Sequence, residues 1–242
     1  MVTVVSGAGR IILPLDGMTD LEEIQGVVNG LKGFVGPFKI GLEAMSEDFA
    51  HRAADYIIQE GGEFFWDGKF SDIPNTSGSA TQKVLKRHPS GIWAVKIHGN
   101  SGRQSITAAV ENRGEANILG VTVLTSLKED DVQEIYGCDV QTAVMRLATI
   151  LVECGVQGLI SSPKEVQMLR SEFGNELLLV TPGVRPKGAD TQDQARVLTP
   201  AEAIRAGSTH LVIGRPITKA EDRHAAARTI AAEIAGALEE AA

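Results

Sequence analysis

The sequence predicts a single-domain (β/α)8 barrel, and three observations support this. Short β-rich apolar runs recur at intervals of roughly twenty to thirty residues along the chain. Segments with helical periodicity lie between most of them, an alternation that favours a parallel sheet joined by crossover helices. Eight such runs occur in 242 residues, close to the roughly 250 residues typical of a closed eight-stranded barrel. Eight repeats therefore favour closure into a TIM barrel over an open sheet.

The strands and helices can be placed in order along the chain. Strands are expected at residues 10–16, 38–41, 63–69, 92–98, 118–125, 156–161, 177–182 and 211–214. Three capping-box patterns mark helix starts, pairing Thr19 with Glu22, Ser162 with Glu165 and Thr199 with Glu202. An alanine-rich segment at about 219–240 is expected to form a closing helix. Because no linker-like segment interrupts the pattern, residues 1–242 are predicted to form one domain.

The amino-acid composition argues against several classes of protein function. The net charge of -8 argues against nucleic acid as a partner, and no apolar run is long enough to span a membrane. The start of the chain lacks the basic and apolar regions of a secretory signal, so a cytoplasmic protein is expected. Cys138 and Cys154 have no metal-ligand spacing and are expected to be reduced thiols. No metal site is predicted.

Polar residues follow the carboxyl ends of the predicted strands, where barrel enzymes carry their active sites. They are Asp16, Lys39, Asp67, Lys69, His98, Thr125 and Arg215. Each residue alone could be a turn cap, a surface lysine or a core histidine, but their shared position favours a common site. Lys96 lies two residues before His98 and should also face the interior, where it needs a partner that the sequence does not name.

The densest charge lies at residues 67–72, directly after an apolar run. In a regular strand, Asp67 and Lys69 share a face about 6.5–7 Å apart and can form an ion pair. Asp72 cannot continue that face, so the loop must place it or it serves another site. Pro74 ends the strand and can start a helix. A solvated charged turn is the competing interpretation.

A second polar group follows the last two predicted strands, where barrels commonly bind phosphate. Gly183 and Gly214 would let an anion approach the backbone, and Arg185 and Arg215 could bind its oxygens. The intervening segment, 185–196, is long, polar and suited to a mobile lid. An exposed loop with scattered arginines is the alternative, but a phosphorylated substrate is favoured.

These segments resemble a known family. Residues 67–76, DGKFSDIPNT, resemble the D-x-K-x-x-D-I-P-x-T signature of the orotidine 5'-phosphate decarboxylases. Supporting matches at 39–41, 121–126, 181–186 and 212–216 occur in the family's order. Gly68 departs from the pattern, because the family usually has a larger apolar residue there. The D-x-K-x-x-D core alone is shared with sugar-phosphate decarboxylases and synthases of the same superfamily.

The resemblance implies decarboxylation of orotidine 5'-monophosphate (OMP) to uridine 5'-monophosphate (UMP) without a metal or organic cofactor. It implies that Lys69 is the proton donor, that Asp67 and Lys39 act beside it, and that Asp72 and Thr76 enter the partner's site in a homodimer. The substrate-binding residues that it implies are Asp16, Lys39, Asp67, Lys69, Asp72, Ile73, Thr76, Thr125, Pro182, Arg185, Gln194, Gly214 and Arg215.

Two other functions stay open at this stage. One is a metal-dependent sugar-phosphate decarboxylase or aldolase of the same superfamily, which the continuation Ile73-Pro74-Asn75-Thr76 disfavours. The other is a non-catalytic nucleotide-phosphate-binding barrel, which the intact Asp67, Lys69 and Asp72 set disfavours.

Overall fold

The computed structural model describes residues 7–18, 20–186 and 198–240, and it confirms the predicted barrel. Eight parallel strands form a closed sheet in sequence order, because the first strand pairs with both the second and the eighth. The strands are β1 Ile11–Pro14, β2 Phe38–Ile40, β3 Phe64–Phe70, β4 Ile92–His98, β5 Asn117–Val121, β6 Gly158–Ile160, β7 Leu178–Pro182 and β8 His210–Val212. Closure brings the carboxyl ends of all eight strands to one mouth.

Helices follow the strands around the barrel. They are α1 Leu21–Leu31, α2 Leu42–Met45, α3 Ala50–Gln59, α4 Pro74–Arg87, α5 Arg103–Glu111, α6 Glu129–Tyr136, α7 Val140–Glu153, α8 Val166–Phe173, α9 Pro200–Arg205, α10 Arg215–Thr218 and α11 Arg223–Glu240. Helix α11 occupies the region predicted for the closing helix. Its backbone approaches the start of the described chain so closely that a Cβ on Gly7 would lie 1.9 Å from Ala231 O.

The apolar core has two parts, which follow from the alternation of side chains along each strand. The larger part fills the space between the sheet and the helices and includes Phe38, Phe64 and Ile97. The smaller part lies inside the barrel and includes Ile12, Phe65 and other residues of alternate strand positions. Lys39, Asp67 and Lys96 continue that interior-facing set toward the mouth, which places charge directly beyond an apolar plug.

Several predicted boundaries differ from the structure. Strand β5 ends at Val121, so Thr125 lies in a turn four residues beyond it; residues 122–124 lie outside the strand, although Thr122 N still donates to Ile160 O at 3.4 Å. Strand β1 ends at Pro14, which leaves Asp16 in the following turn.

The three capping predictions have different outcomes. The capping box of Thr199 and Glu202 is confirmed, with both reciprocal hydrogen bonds present. Glu165 accepts a hydrogen bond from Ser162 N, but α8 begins only at Val166. Thr19 lies outside the described residues, and the cap of α1 is Asp20, whose carboxylate accepts from Glu23 N at 2.8 Å.

No single helix in the described ranges is long and apolar enough to cross a membrane. Only α6 and α7, bent by 53° at their junction, meet the length and composition test as a pair.

Candidate active site

A buried carboxylate surrounded by three lysines forms the centre of the candidate site. Asp67 on β3 is 4% exposed, and its side chain contacts one lysine of its own strand and one from each of the two neighbouring strands. Lys39 Nζ on β2 lies 3.0 Å from Asp67 Oδ2, and Lys69 Nζ donates to the same oxygen at 3.2 Å. Lys96 Nζ on β4 lies 3.1 Å from the other oxygen, Oδ1. The partner that the sequence left unnamed for Lys96 is therefore Asp67.

The ionisation of this cluster follows from burial and opposing charge. Burial alone would raise the pKa of Asp67, but the charges of Lys39, Lys96 and Lys69 together hold it below its ordinary value. Burial also opposes the charge on Lys39, yet Asp67 and Asp16 outweigh it and raise the pKa of Lys39. Asp67 and Lys39 are thus both held in their charged forms within the buried part of the site, where electrostatic effects are strong.

Lys96 responds differently from Lys39. Burial lowers the pKa of Lys96, and repulsion by Lys69 and Lys39 adds to that effect, so the attraction of Asp67 does not restore its ordinary value. His98, at the end of the same strand, also has a lowered pKa because it is partly buried and faces Lys96 and Lys69. His98 therefore belongs to the same charged mouth.

Strand β3 is irregular where it carries the two motif residues. Trp66 pairs with Val95 and Phe70 pairs with Ile97, so residues 67–69 bulge opposite the single residue Lys96. Lys69 has φ +51°, and no other non-glycine residue in the described ranges has a positive φ. The regular alternation expected for Asp67 and Lys69 is therefore wrong in detail, because the bulge rather than the pleat directs Lys69 toward Asp67.

Gly41 makes room for the ion pair on the β1 side of the mouth. Lys39 Nζ donates to both carboxylate oxygens of Asp16, at 2.9 and 2.8 Å. A Cβ on Gly41 would lie 2.4 Å from Asp16 Oδ1 and 2.9 Å from Lys39 Nζ. The turn that carries Asp16 is held by Glu43, whose carboxylate accepts from Gly17 N at 2.6 Å. The sequence places Gly41 within a motif but does not reveal this steric role, which depends on contacts between the turn after β1 and strand β2.

The second aspartate of the motif does not join this cluster. Asp72 is exposed, and its carboxylate accepts a hydrogen bond from Ile73 N at 2.7 Å. Within the described chain it pairs with no lysine or arginine, while its backbone oxygen accepts from Ser105 Oγ at 2.7 Å. Ile73 is 65% exposed and Thr76 is also exposed, both at the start of α4. These residues form an outward-facing edge beside the site.

The residues predicted to bind phosphate follow strands β7 and β8. These two strands are paired, with Pro182 of β7 opposite Val212 of β8. Gly183 has φ +80°, and Arg185 is buried, with its backbone N donating to Leu198 O at 3.0 Å.

Gly214 and Arg215 begin the short helix after β8. A Cβ on Gly214 would lie 2.9 Å from Pro14 Cγ, so a side chain is excluded there. Arg215 is exposed at the first position of α10. Gln194 and most of the predicted lid lie outside the described residues, and Thr125 is exposed in the turn beyond β5.

The described residues contain no cluster of side chains suited to bind a metal ion. Within residues 7–18, 20–186 and 198–240, no three His, Cys, Asp or Glu side chains come together as a metal site.

The amino-acid sequence is similar to those of known proteins. The profile described as "Orotidine 5'-phosphate decarboxylase / HUMPS family" matches residues 9–230. The chain is 42% identical over 237 residues to the orotidine 5'-phosphate decarboxylase of Moorella thermoacetica, covering 93% of this chain and 92% of that protein. It is 38% identical to the enzyme of that name from Heliobacterium modesticaldum, covering 95% of this chain and 97% of the relative.

A solved structure agrees with the sequence matches. The crystal structure of orotidine 5'-phosphate decarboxylase from Lactobacillus acidophilus superposes with a TM-score of 0.77 at 30% identity, covering 93% of this chain and 98% of that one. The resemblance stated from the motif is thereby confirmed, and the chain belongs to the orotidine 5'-phosphate decarboxylase / HUMPS family.

Proposed function

We propose that this protein is a carboxy-lyase that converts OMP to UMP, the last step of de novo pyrimidine synthesis. The observation that carries the proposal is the buried Asp67 with Lys39, Lys69 and Lys96 around it at the mouth of the barrel. The names of the relatives support the same reaction.

The reaction needs a cation that is in place before the bond breaks. Loss of CO2 from C6 of the pyrimidine leaves an electron pair on a carbon with little delocalisation, so the barrier is high, and each 1.4 kcal/mol removed is worth about tenfold in rate. Lys69 stabilises the developing carbanion electrostatically and donates the proton that replaces CO2. Its partial exposure, 32% for the side chain, leaves its ammonium group accessible to a ligand.

Asp67 keeps the cations ordered. Because it is buried and ionised, its charge acts to raise the pKa of Lys39 and of Lys96. It also lies where the substrate carboxylate enters, beside Lys69. In this proposal Asp67 orients Lys69 for proton transfer, and Lys39 links Asp67 to Asp16.

Binding groups lie around this centre. Asp16 and Lys39 bind the ribose hydroxyls, and Thr125 binds the pyrimidine edge. The phosphate side is formed by Pro182, Arg185, Gln194, Gly214 and Arg215. Phosphate contacts far from C6 can supply binding energy that orders the reacting groups.

The outward position of Asp72 supports a homodimer with shared sites. Its carboxylate pairs with no cation of the described chain, and the neighbouring Ile73 is an exposed apolar side chain. We infer that Asp72 and Thr76 of each subunit complete the partner's site, with Ile73 at the shared edge. The groove between α4 and α5, about 450 Å³ and lined by Asn75, Gly78 and Gln82 among others, lies next to this edge.

A metal-dependent sugar-phosphate enzyme is disfavoured by charge. A divalent cation would need anionic ligands around the position of Asp67, yet three lysines occupy that position. Purified protein should convert OMP at the same rate with and without a chelator, measured as loss of the ultraviolet absorbance of OMP. Activity that disappears with the chelator and returns with magnesium would contradict the proposal.

Substitution of Lys69 tests the assigned chemistry. Lys69→Ala should lower the rate by at least about 10³-fold, because it removes both the electrostatic and the proton-donating role. UMP should still bind the variant, as measured by calorimetry. A variant that retains near wild-type turnover would refute the role of Lys69.

Mixed dimers test the shared site. Lys69→Ala and Asp72→Ala chains should each be inactive alone, but a hybrid dimer contains one site with both groups intact. Mixing them should therefore restore part of the activity once subunits exchange. Lack of recovery despite demonstrated exchange would count against Asp72 acting in the partner's site.

A further inference from the structure

Lys96 is a buried lysine that the chemistry above does not yet use. It is 8% exposed, and its Nζ lies 3.1 Å from Asp67 Oδ1. Lys39 and Lys69 both contact the other oxygen, Oδ2. Oδ1 accepts no hydrogen bond of good geometry from the described residues, so Lys96 is the charge that faces it. The two oxygens of Asp67 are thus divided between Lys96 on one side and the pair Lys39 and Lys69 on the other.

The bulge in β3 fixes this arrangement. Lys96 is the single β4 residue opposite the three bulged residues 67–69, and its neighbours Val95 and Ile97 make the flanking pairs. Lys96 therefore contacts Asp67 from the adjacent strand at the point where the bulge turns Lys69 inward. A change in the position of the Asp67 carboxylate would move the group that orients Lys69.

A count of charges suggests what the third lysine adds. In this chain the cluster has three lysines, Lys39, Lys69 and Lys96, and two carboxylates, Asp16 and Asp67. Under the proposed dimer, the partner's Asp72 makes the numbers equal. A substrate carboxylate then enters a neutral array. Without Lys96 it would enter an array of two lysines and three aspartates, which repels an anion.

We propose that Lys96 is a positioning residue that holds Asp67 by Oδ1 and supplies the charge that lets the site accept a carboxylate beside Asp67. This inference rests on the proposed function, since the carboxylate is that of OMP. It predicts selectivity: Lys96 should matter for a nucleotide with a 6-carboxylate and not for UMP, which lacks one.

The test uses Lys96→Met, which keeps most of the side-chain volume but removes the charge, and Lys96→Arg, which keeps the charge. Lys32→Met, at an exposed lysine after α1, is the matched control. For each protein, KM and kcat for OMP are compared with the inhibition constant of UMP. In Lys96→Met, KM for OMP should rise about tenfold or more, as expected for loss of a charged partner, while the UMP constant stays within about twofold. Lys96→Arg should restore part of the selectivity, and the control should match wild type.

A second readout does not depend on turnover. The ¹³C NMR signal of the Asp67 carboxyl carbon is followed against pH in the ligand-free protein, which gives the pKa of Asp67. The signal is assigned by its absence from the spectrum of Asp67→Asn. Lys39, Lys69, Lys96 and His98 surround it, with Asp16 bound to Lys39. Loss of the Lys96 charge should raise the pKa of Asp67, because Lys96 is one of the charges that hold it below its ordinary value.

The outcomes separate the two proposals. Wild-type protein that does not convert OMP refutes the proposed function, while the titration still reports whether Lys96 holds Asp67. If wild type is active, equal losses of OMP and UMP binding in Lys96→Met, or an unchanged Asp67 titration, overturn the role of Lys96. Lys96→Gln replaces the methionine variant if that fails to fold. If both neutral variants fail to fold while Lys96→Arg folds, the charge serves folding and the proposal is also overturned.

Discussion

Substitution of Gly41 should disrupt the site while leaving the fold intact. Gly41 has φ -98° and ψ -175°, an extended conformation that alanine adopts without strain. The added Cβ would lie 2.4 Å from Asp16 Oδ1 and 2.9 Å from Lys39 Nζ, so both groups must move. Because both atoms are the ends of side chains, they can move without displacing the backbone.

The expected size of the effect follows from these distances. Ordinary van der Waals contact requires about 3.4 Å or more, so Asp16 Oδ1 must move by about 1 Å. The Lys39–Asp16 contacts of 2.8–2.9 Å cannot lengthen that far and remain hydrogen bonds. Stability should change by less than about 1 kcal/mol, because the Asp16 side chain is 45% exposed and its ion pair is screened. A misplacement of about 1 Å can cost about 10²-fold in rate, and we expect kcat/KM for OMP to fall by that order.

The assay compares Gly41→Ala with Gly26→Ala, a control at an exposed position of α1 where a Cβ meets nothing within 4 Å. Initial rates come from OMP absorbance, and the free energy of unfolding comes from urea titration. The control should keep full activity. Full activity in Gly41→Ala would show that the Asp16–Lys39 geometry does not matter, and a large loss of stability would show that the contact is structural.

Three further predictions concern stability. Gly26→Ala should itself stabilise the protein by up to about 1 kcal/mol in urea unfolding, because glycine is a poor helix former. Burial lowers the pKa of His210 to about 4, so the unfolded chain binds the proton first. Stability should be full above about pH 6.5 and fall by about 3 kcal/mol toward pH 4, a loss that His210→Gln should reduce in urea titrations across that range. Lys69→Gly should be about 1 kcal/mol more stable than Lys69→Ala, because φ +51° strains any residue with a Cβ; a more stable alanine variant would contradict the strain.

The sequence predicted the barrel because its signals are local and repeated. The strands contain apolar runs, and some helix starts carry polar residues at fixed spacing, as Thr199 and Glu202 do. Errors occurred where local pattern and pairing differ. The sequence after Val121 resembles a strand, but β5 ends there, and that end depends on its pairing with the neighbouring strands β4 and β6.

The site was predictable in composition more than in geometry. Asp67, Lys69 and Lys39 could be assigned to one mouth from strand ends alone. The partner of Lys96 could not, because it depends on the register between β3 and β4 and on the bulge that interrupts it. The steric role of Gly41 was hidden for the same reason, since the atoms it would displace belong to the turn after β1 and to strand β2.

The charged cluster is difficult to explain as a contribution to stability. Buried ion pairs often stabilise a protein no more than apolar side chains of the same volume, and the apolar plug that includes Ile12 and Phe65 could have continued to the mouth. Instead the chain places Lys39 and Lys96 in the interior and holds Lys69 in a strained backbone conformation. Such local costs are expected where a protein must present ordered charge to a ligand. Because lysines outnumber carboxylates in the chain's own cluster, an anionic group should complete it, and the partner's Asp72 does so in the proposed dimer.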